Sequence, residues 1–183
     1  MRILLLVDVQ NLFYSVRDLF GIDARVDFKR LIEAAKNNRE DVSVTAVAYL
    51  AVLGDSGGKA GMSRGIVAAL KTVGYEVRLK EVRQDLDGKL HDTNLDGEII
   101  VEAMSLLNQD SYDTLVLASG DGDFVPLYTK LHECGIRVEV LAFQDSLNRE
   151  IVRYVNEVRL LGKSILFEPR EGGVDARSIE TGT

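Results

Sequence analysis

The chain is poor in several residue types that define other classes of protein. Its 183 residues include one cysteine, no tryptophan and two prolines. The single cysteine, Cys134, excludes a disulfide framework within the chain, which is the usual support of small secreted domains. This cysteine usage fits a reducing compartment, so we expect a cytoplasmic location.

Long apolar runs are also missing from the sequence. No stretch approaches the roughly 20 consecutive apolar residues of a membrane-spanning helix, so we expect no membrane span. The apolar run at residues 3–7 stops at Asp8 and is shorter than the core of a signal peptide. We interpret residues 3–7 as a buried first strand.

The chain has no excess of positive charge, because its net charge is −7. Tight non-specific binding of nucleic acid depends on basic residues that neutralise phosphates, and the charge argues against it. Clustered carboxylates at a metal site add negative charge that a bound cation offsets locally. An acidic chain is therefore compatible with a metal site.

Apolar, strand-like segments alternate with amphipathic, helical ones along the chain. We predict strands at residues 3–7, 42–51, 75–80, 114–118, 137–141 and 164–167. We predict helices at residues 11–20, 28–36, 63–73, 94–107, 124–133 and 147–155. This alternation predicts an α/β protein, a three-layer α/β/α sandwich with a mostly parallel sheet. We expect residues 1–168 to form one domain and the polar residues 169–183 to be a disordered tail.

Acidic residues fall where two of the predicted strands end. Asp8 ends the first strand, and Asp121 and Asp123 follow the strand at 114–118. If the strand order is 3-2-1-4-5, these strands are neighbours, and their carboxylates converge at the edge where open α/β sheets bind ligands. Asp96, one turn into the helix predicted before that strand, can point at the same crevice.

Carboxylates gathered in one crevice repel each other and are costly to desolvate. A bound cation relieves both costs, and a site with only oxygen ligands favours Mg²⁺ or Mn²⁺. Such ions stabilise the attacking and leaving oxygens of a phosphodiester. We expect Gly120 and Gly122 to allow the tight turn that presents Asp121 and Asp123.

The segments that contain these acids resemble a known family. They are VDVQNL at residues 7–12, NLDGEIIVEAM at 94–104, and YDTLVLASGDGDFVPL at 112–127 followed by GIRVEVLAF. In order and spacing they resemble the NYN domain family, LabA-like branch, within the PIN-like nuclease superfamily. The resemblance covers about residues 2–160. It implies a PIN-like, Rossmann-like topology and a metal-dependent ribonuclease-type site acting on RNA.

The resemblance also implies roles for individual residues. By motif position it implies an acidic metal cluster with two supporting polar groups: Asp8, Asp96, Asp121 and Asp123, supported by Asn11 and Ser119. The chain departs from the family pattern at two places. Thr93-Asn94 replaces a common Lys-Gly pair, which removes a cation that could face substrate phosphate. Asn156 stands where an aspartate is common.

Basic residues near the predicted crevice are candidates for contacts with substrate phosphate. We name Lys59, Arg64 and Lys80 for this role. The glycine-rich segment LGDSGGKAG at residues 53–61 contains Lys59 but is not a phosphate-binding P-loop. The P-loop pattern requires glycine where Leu53 stands and Ser or Thr where Ala60 stands.

Each acid also has a structural interpretation that involves no metal. Asp8 can cap the first helix, Asp123 can cap the helix that starts near residue 124, and Asp96 can favour a helix dipole. A non-catalytic NYN binding or regulatory module is therefore an alternative function. A haloacid dehalogenase-like phosphatase is a weaker one, because Gln10 replaces the second acid of its Asp-x-Asp motif. The sequence leaves open whether the protein forms a homodimer.

Overall fold

The computed structural model describes the backbone of residues 1–53, 59–84, 90–91 and 94–168, and the side chains of 1–52, 64–82 and 94–168. The tail predicted at residues 169–183 lies outside the described residues. In the described part, no helix combines the length and the apolar character that crossing a membrane requires.

Strands and helices alternate along the described chain. The strands are β1 (Arg2–Asp8), β2 (Ser43–Leu53), β3 (Glu76–Gln84), β4 (Leu90–His91), β5 (Thr114–Ala118), β6 (Arg137–Ala142) and β7 (Glu157–Leu160). The α-helices are α1 (Val9–Phe20), α2 (Phe28–Lys36), α3 (Lys59–Val73), α4 (Asp96–Asn108) and α5 (Val125–Glu133). Three 3₁₀ turns lie at Gly122–Phe124, Ile151–Arg153 and Lys163–Ile165.

The strands form one sheet in the order β4-β3-β2-β1-β5-β6-β7. All described neighbours pair in parallel except the short β4, which is antiparallel to β3. Strand β1 is central, with Val7 opposite Ala118 of β5 and Asp8 opposite Tyr49 of β2. The predicted order, with the first strand beside the strand at 114–118, is confirmed. Both of these strands end at the same edge of the sheet.

Alternating side chains of the central strand supply two separate cores. Ile3, Leu5 and Val7 pack with α1, α2 and α3 on one face. Leu4 and Leu6 pack with α4 and α5 on the other face. Because successive strand residues point to opposite faces, a strand buried on both sides is apolar throughout. The predicted three-layer α/β/α architecture is confirmed.

Local signals in the sequence account for where one helix begins and where another ends. The Asp27 carboxylate accepts hydrogen bonds from the backbone N–H groups of Lys29 and Arg30, which caps the start of α2. Helix α3 ends at Gly74, whose φ of 105° is a left-handed conformation that glycine adopts at little cost. The predicted helix start at residue 28 and helix end at residue 73 are confirmed.

Two predicted elements near the end of the domain are wrong. The helix expected at 147–155 is irregular chain with one 3₁₀ turn, because the Asn148 carboxamide accepts the N–H of Glu150 at 2.9 Å and favours a turn. The strand expected at 164–167 is a 3₁₀ turn followed by an isolated bridge between Leu166 and Val26. The last strand is β7. It was not predicted, because its sequence, EVRL, is half charged and contains no apolar run.

Strand β4 pairs antiparallel with the end of β3, with Arg83 opposite His91 and Gln84 opposite Leu90. Residues 85–89, between these two strands, lie outside the described residues.

Candidate metal centre

Three aspartates converge at the edge where β1 and β5 end. Asp96 is the first residue of α4, and Asp121 and Asp123 lie in the turn between β5 and α5. One carboxylate oxygen from each lies within 4.8 Å of the others. Asp96 and Asp121 are half-buried, and Asp123 is exposed. The cluster therefore opens to solvent on one side.

Asp8 lies beside this group without joining it. Its Oδ1 accepts the backbone N–H of Asn11 at 3.0 Å, so Asp8 caps α1 as its structural interpretation predicts. Burial raises the pKa of Asp8 to about 6, and the charges of Asp96 and Asp121 contribute to this rise. The charges of the cluster therefore act on the Asp8 carboxyl, which also caps the start of α1.

The pKa of Asp96 is also raised. Burial is the main cause, and the charges of Asp121 and Asp123 add to it. A side-chain hydrogen bond with Asn94 opposes the rise. Separately, the Asn94 Oδ1 accepts the Asp96 N–H at 2.7 Å. Asp121 and Asp123 therefore disfavour the ionised form of Asp96, and a bound cation would relieve this repulsion.

The two supporting polar groups both hydrogen bond to the turn after β5. The Asn11 carboxamide accepts the N–H of Gly120 at 3.2 Å. The buried Ser119 hydroxyl accepts the N–H of Asp121 at 3.3 Å. The first bond holds the acidic turn against α1, and the second lies within the turn.

The acidic turn is also capped from within. The Asp121 Oδ1 accepts the N–H of Asp123 at 3.0 Å, which makes Asp121 the N-cap of the 3₁₀ turn. The sequence suggested Asp123 as the cap of the following helix, but Phe124 occupies that position and makes no side-chain cap. The Asp123 carboxylate is therefore left for another role.

Residues 146–148 pack directly on the acidic turn. A Cβ atom added to Gly120 would lie 2.2 Å from the Ser146 carbonyl oxygen, and one added to Gly122 would lie 2.3 Å from the Asn148 Nδ2. The Asn148 N–H also donates to the Gly120 carbonyl at 2.9 Å. Neither glycine has a positive φ. Close approach of the Ser146 backbone, and not the turn geometry, requires glycine at position 120, whereas at Gly122 the contact is the end of the flexible Asn148 side chain.

The segment 146–148 was not recognised from the sequence, because it falls in the region predicted as a helix. Its partner does carry a sequence signal. Two glycines that alternate with aspartates after a buried strand indicate a place where another part of the chain approaches the backbone closely. The signal locates the contact but does not identify which segment makes it.

Basic residues proposed as phosphate contacts are placed differently from one another. The Lys80 ammonium lies at the start of α4, where it contacts Glu98 at 2.9 Å and donates to the Asn94 carbonyl at 2.8 Å. Arg64 is exposed on α3, which covers the opposite face of the sheet from α4. The Lys59 side chain lies outside the described residues. These roles stay predictions.

No lysine or arginine whose side chain the structure describes forms an ion pair with the four aspartates. Asn156, which stands where an aspartate is common, lies elsewhere and accepts the Val138 N–H at 2.8 Å. Glu102 is likewise engaged outside the cluster, because it binds Arg78 at 2.6 Å. Neither residue adds to the candidate site.

The donor set fits a hard divalent cation. Among the described residues, the clustered ligand atoms are three carboxylate oxygens, which are close enough together to hold one ion. Mg²⁺ and Mn²⁺ prefer oxygen ligands, whereas zinc sites usually include histidine or cysteine. The fold and the cluster together define a Rossmann-like domain with an acidic site at the carboxyl ends of its central strands.

Comparison with known proteins identifies the family. The sequence profile of the NYN domain matches residues 2–161, which is most of the chain. The chain therefore belongs to the NYN domain family, whose domains are PIN-like. The resemblance seen in the sequence motifs is confirmed.

Two relatives support this assignment. The low amplitude and bright protein LabA of Synechococcus elongatus is 28% identical over 155 residues, which cover 82% of this chain and 78% of LabA. The crystal structure of a protein of unknown function from Vibrio parahaemolyticus RIMD 2210633 matches with a TM-score of 0.74 and 25% identity. That match covers 91% of this chain and 96% of the other. The PIN-like fold is thus shared with a solved structure.

Proposed function

We propose that the protein is a metal-dependent ribonuclease-type phosphodiesterase. The observation that carries the proposal is the convergence of Asp96, Asp121 and Asp123 within 4.8 Å. It is strengthened by membership of the NYN family, a PIN-like nuclease family. Single-stranded or structured RNA is the proposed substrate, and the single cysteine supports a cytoplasmic location.

The aspartates of the cluster and the residues beside them would have separate roles. A bound Mg²⁺ or Mn²⁺ supplies Lewis-acid activation of water and neutralises charge on the phosphodiester. Asp96, Asp121 and Asp123 would hold the ion from one side and leave its solvent side open for RNA. Asp8 and Asn11 would keep the first helix and the acidic turn in register.

The test is cleavage of a fluorescent single-stranded RNA by wild type and by Asp121→Asn. Each protein is assayed with Mn²⁺, with Mg²⁺ and with a chelator. We expect cleavage by wild type with either metal and a loss of roughly 100-fold or more in the variant, since a catalytic metal supplies several kcal/mol of transition-state stabilisation. Asn156→Asp, far from the cluster, is the matched control and should cleave like wild type.

The outcome separates the proposal from a contaminating nuclease. Equal cleavage by wild type and Asp121→Asn would show that the activity does not belong to this site. Circular dichroism of both proteins establishes that the variant is folded. Mn²⁺ titration by calorimetry then reports whether the aspartate contributes to metal affinity.

A non-catalytic binding or regulatory module is the second candidate function. It is favoured by the scarcity of described cations at the cluster and by the net charge of −7. In that case the cluster would bind metal without turnover. Mn²⁺ binding combined with no cleavage of single-stranded or structured RNAs would support this function over the nuclease.

A further inference from the structure

A buried tyrosine hydroxyl on α5, the helix that follows the acidic turn, has no acceptor. Tyr128 of α5 is fully buried, and its Oη makes no hydrogen bond with the residues that the structure describes. Buried hydroxyls nearly always have a partner, because leaving one unpaired costs free energy. An orphan of this kind calls for a physical explanation.

The geometry of α5 directs the Tyr128 side chain towards the acidic turn. Side chains of an α-helix incline towards its N-terminus, so the Tyr128 ring extends back over the preceding turn. That turn is Gly122–Phe124, which follows directly from Asp121. After burial, the Asp121 charge is the cause that raises the pKa of Tyr128 further, which is consistent with a hydroxyl close to that carboxylate.

Asp121 has room for another donor. One of its oxygens, Oδ1, accepts the N–H of Asp123. Carboxylates that bind metals are usually held by hydrogen bonds from residues behind them, and loss of such a partner weakens metal binding 10- to 100-fold. The Tyr128 hydroxyl, on the helix that follows Asp121, is a donor of the right kind.

We propose that Tyr128 is a positioning residue, whose hydroxyl donates to the Asp121 carboxylate when the cluster holds a divalent cation. The bond forms directly or through one buried water, which satisfies the hydroxyl and orients the carboxylate oxygen that faces the ion. This inference rests on the metal site of the proposed function. It assigns no contact between Tyr128 and the substrate.

The test compares Tyr128→Phe with Tyr112→Phe. Both tyrosines are buried, but the Tyr112 hydroxyl donates to the Ala103 carbonyl at 2.9 Å and takes no part in the acidic cluster. Mn²⁺ affinity is measured by calorimetry, and stability by denaturant unfolding in chelator. Neither measurement depends on RNA cleavage.

Opposite behaviour of the two variants is expected. Tyr128→Phe should weaken Mn²⁺ binding about tenfold and leave the unfolding midpoint in chelator unchanged or higher, because an unpaired buried hydroxyl is removed. Tyr112→Phe should lower the unfolding midpoint, because it removes a hydrogen bond that is made, and should bind Mn²⁺ like wild type. A residue with only a structural role would not produce the first pattern.

Other results would overturn the inference. Wild-type Mn²⁺ affinity in Tyr128→Phe would show that the hydroxyl does not position Asp121. A lower unfolding midpoint of Tyr128→Phe in chelator would show that the hydroxyl already has a partner in the core. Absence of Mn²⁺ binding by wild type itself would overturn the metal site of the proposed function, and this inference with it.

Discussion

Acidic side chains at two places in the same sheet differ in how their charge is compensated. Glu139 of β6 is fully buried and binds three arginines: Arg39 at 2.7 Å, Arg137 at 2.6 Å and Arg159 at 2.7 Å. At the sheet edge, by contrast, the carboxylates of Asp96, Asp121 and Asp123 face one another. No described cation pairs with them.

The pKa values follow this contrast. Burial alone would raise the pKa of Glu139, but hydrogen bonds from Arg39 and Arg137 and the nearby arginine charges lower it. The pKa values of Asp8 and Asp96 are raised. The same chain can therefore neutralise a buried acid when stability requires it. Acids left uncompensated at the edge of the sheet are a feature of a site that takes its positive charge from a ligand.

Removing the Glu139 charge should have the largest effect on stability. Glu139→Gln leaves three arginines without their common partner, and we expect the free energy of unfolding to fall by about 3–4 kcal/mol at pH 7. Because the folded-state pKa is lowered, this contribution is present above the unfolded-state value near 4.3 and is lost as the pH falls through the folded-state value. Urea unfolding at several pH values measures it.

Glu133→Gln is the matched control for this prediction. Glu133 pairs with Lys130 at 2.8 Å on the exposed surface of α5. Exposed pairs contribute little, so the change should be much smaller. Equal effects of the two variants would show that the ion pairs of Glu139 with its three arginines do not stabilise the fold.

The acidic turn is held by close packing and hydrogen bonds instead of ion pairs. A substitution can therefore disrupt its packing without changing any charge. Gly120→Ala would place a Cβ against the Ser146 carbonyl, where the backbone must move. We expect a loss of about 2–3 kcal/mol in unfolding free energy and weaker Mn²⁺ binding, measured by denaturation and calorimetry. Gly97→Ala, next to Asp96 in open space, should be neutral or stabilising.

A stable Gly120→Ala protein with unchanged Mn²⁺ affinity would contradict this account. It would mean that the 146–148 segment moves away without disturbing Asp121. The Gly97→Ala control tests whether any added methyl group near the cluster has the same effect.

Neutralising Asp8 should have a smaller effect of the opposite sign. In chelator at pH 8, Asp8→Asn removes a buried charge whose pKa is raised to about 6. The asparagine oxygen can still cap α1. We expect the metal-free variant to be more stable by about 1–2 kcal/mol, since each pKa unit corresponds to 1.4 kcal/mol and burial of the amide offsets part of the gain.

Asp113→Asn provides the contrasting control. The Asp113 carboxylate pairs with Arg2, which lowers its pKa to about 2, so its neutralisation should destabilise the protein. Stability is measured by thermal unfolding of both variants. Destabilisation by Asp8→Asn as well would show that the Asp8 charge is compensated in the metal-free protein.

Much of the fold could be predicted because its signals are local. Continuous apolar runs marked the central strands, Asp27 marked the start of α2, and Gly74 marked the end of α3. The predicted strand order brings Asp121 and Asp123 beside the end of β1, and the structure places them there. Prediction failed at residues 147–155, where the Asn148 side chain favours a turn, and at residues 164–167, where a bridge to distant Val26 replaces a strand.

The sequence by itself determined the alternation of strands and helices, the family motifs and the acids that end the central strands. These depend on residue type and spacing, which each segment carries with it. Only the tertiary structure decided two further features: Asp8 stands beside the acidic group, and residues 146–148 hold the turn. The physical reason is that such contacts join segments far apart in the chain, and their partners exist only after the sheet has formed.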